Sequence, residues 1–263
     1  KTPDELIAEA LAALHKKGIP VMKLGDEAAV KHISSVPTGS YSLDHALGVG
    51  GFPKGRIIEV FGEYSSGKSL LCLSACAQAQ QAGGRAAFID AEHSIDPEWA
   101  EKLGVDTKEL YFVQPDSGEE ALTALEKLVE THAFDIIVVD SVAALVPQAE
   151  IDAEMDKHSV AMQARLISKA LRKLTGKIYK SNTVVAFTNQ LRMKVGVMFG
   201  NPEDTPGGKA LKFYASVRCE VKKMTGAENR FHNSAQDLVG HNVTINVIKN
   251  KVAPPYRKAE FSV

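Results

Sequence analysis

What this chain lacks narrows it first. No apolar run approaches the roughly 18 residues that would cross a bilayer, and no charged-then-apolar leader opens it, so the expectation is a cytoplasmic protein with no membrane partner. Cysteine is scarce: the three present, Cys72, Cys76 and Cys219, form no C-x-x-C pair. That favours buried small hydrophobes over a metal or redox role. Charge of one sign is also missing. With a formal net charge of -1, any nucleic-acid binding must come from a local basic patch, since the whole-molecule field will not supply it. The chain opens on Lys1 without a methionine, as a trimmed chain would.

What is present suits a large soluble domain. The 263 residues, 44% hydrophobic and 24% charged, can bury the core of one large α/β domain or two small ones. The organising stretch is Gly62-Glu63-Tyr64-Ser65-Ser66-Gly67-Lys68-Ser69, which follows the apolar Ile57-Ile58-Glu59-Val60-Phe61 and leads into a helical pattern from Leu70. Strand, glycine-bounded loop and helix in that order form a phosphate-binding loop. Gly62 and Gly67 would let the backbone turn so that N–H groups and the positive end of the helix face a triphosphate. Lys68 would reach the β and γ phosphates and the Ser69 hydroxyl would ligate Mg²⁺. Ser65, Ser66 and Leu70 complete the candidate nucleotide positions.

The rest of the chain places further groups near that loop. Thr2-Pro3-Asp4-Glu5 predicts a capped amphipathic helix at the N-terminus. Arg85 to Glu92 and Phe134 to Ser141 read as buried parallel strands whose carboxyl ends face a ligand crevice. Asp140 is the expected acid for holding Mg²⁺ opposite Ser69. Ser141 follows it where related ATPases often carry a catalytic glutamate, so the base must come from elsewhere, with Glu92 slightly ahead of Asp90. A helix is predicted from Val160 to Lys180, with Arg165, Lys169, Arg172, Lys173, Lys177 and Lys180 in an arc of about 140° and apolar residues opposite. That arc is either a solvated face or a phosphate-backbone rail. The strand 183–188 delivers Asn189 and Gln190, beside which a γ phosphate could be read, and then a long basic, Met- and Gly-rich loop with the character of a switch. Residues 217–221 and 243–248 alternate like strands, and 224–240 between them is polar and expected to be exposed.

The stretches 40–44, 62–69, 88–96, 138–145, 189–202, 207–218 and 249–261 together resemble the bacterial-type RecA recombinase family across the whole chain. The resemblance implies a RecA-like α/β ATPase core with a mostly parallel central sheet over 34–263, and an N-terminal helix and linker over 1–33 acting as a subunit-interface element. It implies a DNA-dependent ATPase, working with ATP and Mg²⁺, that forms a helical homo-oligomeric filament on single-stranded DNA. The filament pairs that strand with homologous duplex DNA and exchanges strands in recombination and repair. A ring-forming DNA motor, and an ATP-gated scaffold for self-cleaving repressors, are the rival expectations.

Carried over by residue, Glu92 matches the catalytic glutamate, Gln190 the γ-phosphate sensor, and Asp96 and Trp99 the adenine-contacting positions. Lys249 and Lys251 match lysines that reach the adjacent subunit's ATP, and Phe213 an interface residue. Arg165 and Arg172 match DNA contacts, as does the loop 191–209 with Arg192, Met193, Lys194, Val195, Gly207 and Gly208; 152–159 lies near a first DNA loop. The chain departs from the family pattern at Glu63-Tyr64, at Asp204 and Pro206, and in a longer 224–240 segment. It stops at Val263, ahead of the Tyr-Gly segment and small C-terminal domain that members normally carry.

Overall fold

The computed structural model describes residues 1–23, 25–26, 33–153, 160–193 and 203–263; of residues 160, 193, 203 and 204 only the backbone is described. The chain separates into two units, Lys1–Ile33 and Ser34–Val263. In the first, α1 (Pro3–Lys16) starts at a reciprocal cap. Glu5 N donates to Thr2 Oγ1 at 3.3 Å and Thr2 N donates to Glu5 Oε2 at 3.0 Å, which satisfies two amides that a helix start leaves open.

The second unit begins with β1 (Ser35–Val36), α2 (Tyr41–Leu47), β2 (Phe52–Pro53), β3 (Ile57–Gly62) and α3 (Lys68–Gln81). It continues through β4 (Ala86–Asp90), α4 (Pro97–Lys102), β5 (Tyr111–Val113), α5 (Gly118–Glu130), β6 (Ile136–Asp140), α6 (Gln148–Ile151), α7 (Val160–Ser181) and β7 (Val184–Gln190). The last elements are β8 (Arg192–Met193), β9 (Glu203–Asp204), α8 (Lys209–Tyr214), β10 (Val217–Lys223), β11 (Arg230–His232), β12 (Leu238–Asn250) and β13 (Lys258–Ser262).

Among the described residues one nine-stranded sheet dominates, in the order β11-β12-β10-β3-β7-β6-β4-β5, with β13 also on β12. From β10 to β5 every neighbour is parallel, whereas the β11, β12 and β13 pairings are antiparallel. Both faces of the parallel part are covered, which is why its strands read as unbroken apolar runs. Ile58, Val60, Ile136, Val138, Val184 and Ala186 point into one core with α3, while Ile57, Ile137, Val139, Val185 and Phe187 point into the other with α5 and α7. The three cysteines are buried in the α3 core, and burial pushes the Cys76 and Cys219 thiols up to about 12, so they behave as hydrophobes.

Register decides what meets at the carboxyl ends of these strands. Gly62 lies opposite Gln190, and Asp90 opposite Asp140. The phosphate loop, Glu92, Asp140 and Gln190 therefore emerge at one rim, the usual place for a ligand on an open parallel sheet. One strand differs from expectation. The alternation of 243–248 belongs to a strand that begins at Leu238, because β11 pairs with its first residues and Val263 exchanges backbone hydrogen bonds with His241 at 2.9 Å each way.

Candidate nucleotide site and basic face

The loop after β3 is shaped by its glycines in two different ways. Gly67 sits at φ +94°, left-handed backbone that suits glycine, and it caps α3. Gly62 keeps ordinary backbone angles; a Cβ there would come 2.2 Å from the carbonyl oxygen of Val221 on β10. The expectation that Gly62 serves the turn is corrected: it serves strand-to-strand approach. Lys68 Nζ donates to Glu63 O at 2.7 Å, so the lysine spans its own loop. Burial pulls the Lys68 pKa down, while Asp140 and Glu92 favour its charged form.

Around it lies a cavity of about 520 Å³, lined by 64–70 of the loop and by Glu92, Ser94, Trp99, Asp140 and Gln190. That volume is within the roughly 300–1,000 Å³ typical of small-molecule sites. Glu92 Oε1 accepts from Gln190 Nε2 at 3.2 Å and from the Ser141 hydroxyl, so the candidate base and the candidate sensor touch each other. The peptide joining Asp140 to Ser141 is cis. Asp90, the other acid weighed for the base, is fully buried, and its Oδ2 accepts from Ser94 N at 3.0 Å, Ile95 N at 3.2 Å and Gln114 Nε2 at 3.4 Å. It folds the loop that carries Glu92. Of the two, only Glu92 lines the cavity.

The donors fit a magnesium nucleotide. Asp140 accepts from the Thr188 hydroxyl through Oδ1, while its Oδ2 is buried without a well-aligned partner; the Ser66 hydroxyl is orphaned in the same way. Burial pushes the Asp140 carboxyl up, opposed by the Ser69 and Thr188 hydroxyls beside it. Unpaired buried oxygens are costly unless a ligand completes them. Among the described residues no cluster of acids, histidines and cysteines forms a cage for a metal ion. Asp140 and Ser69 with phosphate and water suit Mg²⁺, which keeps much of its hydration.

Other carried-over positions fall elsewhere. Asp96 is exposed and caps α4, its Oδ1 accepting from Glu98 N at 2.9 Å; it does not line the cavity, while Trp99 on the same helix does. Lys249 Nζ donates to Lys212 O at 2.7 Å and Phe213 O at 2.9 Å, and Lys251 Nζ lies 6.0 Å from the centre of the exposed Phe213 ring. Neither lysine lines the chain's own nucleotide cavity.

The basic face is smaller than the arc in the sequence. Lys173 bridges to Glu126 at 2.7 Å, and Lys177 bridges to Glu130 at 2.6 Å and to Glu126, all across to α5. Arg165, Lys169 and Arg172 have no ion-pair partner among the described residues. They line an open groove of about 610 Å³ with Lys209, Phe213 and Tyr214 of α8. Gly207 and Gly208 adjoin it for a packing reason: a Cβ on Gly207 would come 2.8 Å from Ile167 and Val142, and one on Gly208 3.0 Å from Ala164. Arg192 and Asp204 pair in the short β8–β9 ladder, so the departure at Asp204 falls opposite an arginine. Lys194, Val195, residues 154–159 and the side chain of Met193 lie outside the described residues.

Sequence reasoning passed over a buried polar clasp at the root of the 191–206 loop. Asn189 Nδ2 donates to Glu59 Oε1 at 3.0 Å and to Pro206 O at 3.1 Å, and Asn189 Oδ1 accepts from Gln190 N at 3.0 Å. Glu59, with no exposed surface, is balanced by Arg218, whose guanidinium stacks 4.6 Å from the Phe61 ring. The available signal was a glutamate inside an apolar strand, since a buried charge demands a partner.

Comparison with known proteins places this geometry in a family. The family model for the RecA N-terminal domain matches residues 5–263. The chain is 54% identical over 258 residues to Protein RecA of Chlorobaculum parvum, covering 98% of this chain and 73% of that one. To Protein RecA of Bacillus subtilis it is 57% identical over 243 residues, 92% of this chain and 68% of the relative. To that of Borrelia hermsii it is 56% identical over 243 residues, 92% and 67% respectively.

Proposed function

The chain belongs to the RecA family, and on that premise we propose that it is an ATP-dependent recombinase that assembles on single-stranded DNA, pairs it with homologous duplex DNA and exchanges strands in the cytoplasm. The observation that carries the reading is the convergence of Lys68, Asp140, Glu92 and Gln190 on one cavity above the phosphate loop.

ATP supplies the γ phosphate whose presence or loss the site reports, and its Mg²⁺ neutralises charge on the β and γ oxygens. The amides of 65–69 would hold the phosphates, and Ser69 and Asp140 the ion. Gln190 would turn toward the γ phosphate and release Glu92, leaving that carboxylate to orient the attacking water and take its proton. Because Asn189 grips both Gln190 and Pro206, movement of Gln190 would pass to both stems of the DNA-facing loop. Lys249, Lys251 and Phe213, away from the chain's own cavity, would act on the next subunit's nucleotide in the manner of an arginine finger. The helix α1, with Leu6 and Ile7 exposed on it, would dock on a neighbouring subunit.

The test is steady-state ATP turnover with and without single-stranded DNA. Turnover should rise on DNA addition in protein that electron micrographs show as filaments. Filaments whose turnover ignores DNA would sink the proposed coupling, and closed hexamers would favour a ring motor.

A further inference from the structure

The segment 224–240, exposed and without a role in the sequence, folds back onto the nucleotide cavity. Its hairpin is well specified: Asn233 Oδ1 accepts from Ala235 N and Asp237 N at 2.9 Å each, and Asn233 N donates to Asp237 O at 3.0 Å, closing the turn between β11 and β12. Phe231 pairs with Gly240 but His232 with Leu238, so Val239 is the extra residue of a bulge. A bulge breaks the strict alternation of side chains. Its consequence here is that the adjacent Leu238 and Val239 both line the cavity that holds the phosphate loop and Trp99.

These two side chains are 58% and 61% exposed, and the Trp99 ring is 47% exposed, an uncommon concentration of uncovered apolar surface around one polar site. Position also favours a ligand over a solvated loop. Gly240 has no room for a side chain, since a Cβ would stand 2.7 Å from Val263 O, and His241 Nε2 is buried without a partner on the same wall. The strand is thus pinned at Gly240 and His241 while Leu238 and Val239 project beside the cavity.

Resting on the nucleotide reading above, we infer that the β11–β12 hairpin is a base-recognition wall. Leu238 and Val239 cover the nucleobase of the bound nucleoside triphosphate from the side opposite the phosphate loop's own helix, and so contribute to affinity through the base and not through the phosphates. The contact is apolar and shape-based, so it would accept a purine ring without reading hydrogen bonds.

The experiment compares Mg·ATP with Mg·tripolyphosphate, which carries the phosphates alone, by titration calorimetry on the full chain. In L238S/V239S the dissociation constant for ATP should rise about tenfold, close to what uncovering part of two aliphatic side chains costs. The constant for tripolyphosphate should not move. Retained affinity in the apolar V239M variant separates covering from mere folding of the hairpin, and an unchanged thermal melt of L238S/V239S checks the same point. An ATP constant that stays at the wild-type value, or an equal loss for both probes, would overturn the inference while leaving the phosphate loop's role intact. Wild-type protein that binds neither probe would remove the nucleotide reading and this inference with it.

Discussion

The cleft above the phosphate loop and the exposed side of α7 use polar side chains in opposite ways. In the cleft each proposed working group is already held: Lys68 by the Glu63 carbonyl, Glu92 by Ser141 and Gln190, Asp140 by Thr188. On α7 the cations held by α5 carboxylates, Lys173 and Lys177, are the ones withdrawn from ligand binding, and the unheld Arg165, Lys169 and Arg172 face the groove. The difference follows from the chemistry each surface is proposed to perform. Phosphoryl transfer depends on positioning, so groups must be preorganised. Backbone binding of nucleic acid depends on cation number and accessibility, and gains little from fixed geometry.

The hardest blow to the cleft should come from Lys68→Ala. It should lower ATP turnover by on the order of 100-fold or more, since it removes the cation nearest the proposed phosphates. A variant turning over at near the wild-type rate would show that the loop binds something else. Next, Glu92→Gln keeps the hydrogen-bonding shape but not the base. Turnover should fall by roughly 10²–10³ while ATP-dependent DNA binding persists, read by a hydrolysis assay beside fluorescence anisotropy. Loss of both together would mean that Glu92 organises the cleft and does no proton chemistry.

Two double variants put the halves of α7 against each other. R165A/R172A should flatten the slope of log affinity for single-stranded DNA against log salt by about 0.7 per contact removed, whereas K173A/K177A should leave the slope alone and lower the melting temperature. Equal slopes in the two variants would erase the distinction. The smallest effect concerns the α5 carboxylates. Hydrogen bonds from Lys177 and then Lys127 hold Glu130 down at about 2, below the ordinary carboxylate value of roughly 4.3. Its contribution to stability is therefore present above the ordinary value and fades as the pH falls toward the lowered one. The small melting-temperature deficit expected of Glu130→Gln at neutral pH should narrow between about pH 5 and the lowest pH at which the fold survives. A deficit that holds constant there would assign the stabilisation to packing of the Lys177 stem.

The sequence carried the phosphate loop, the parallel strands and the acid after each, because these depend on spacing along one segment. It carried the family for the same reason, through motifs that are local strings. The clasp of Asn189, Glu59 and Arg218 was only hinted at by a lone glutamate in an apolar strand, since its partners come from three strands. The hairpin was invisible: residues 224–240 are polar in composition, and the bulge that turns both Leu238 and Val239 to the cavity depends on pairing between β11 and β12.

Two determinations therefore belong to the sequence alone: which residues could hold a triphosphate, and that α7 has an apolar and a basic side. Only the tertiary structure decided which cations remain free, that Asp90 folds a loop while Glu92 faces the cavity, and that Gly62 answers to the Val221 carbonyl. The reason is physical. Backbone conformation and helical periodicity are properties of neighbours in sequence, whereas neutralisation, burial and close approach are properties of neighbours in space, and the sheet register sets those.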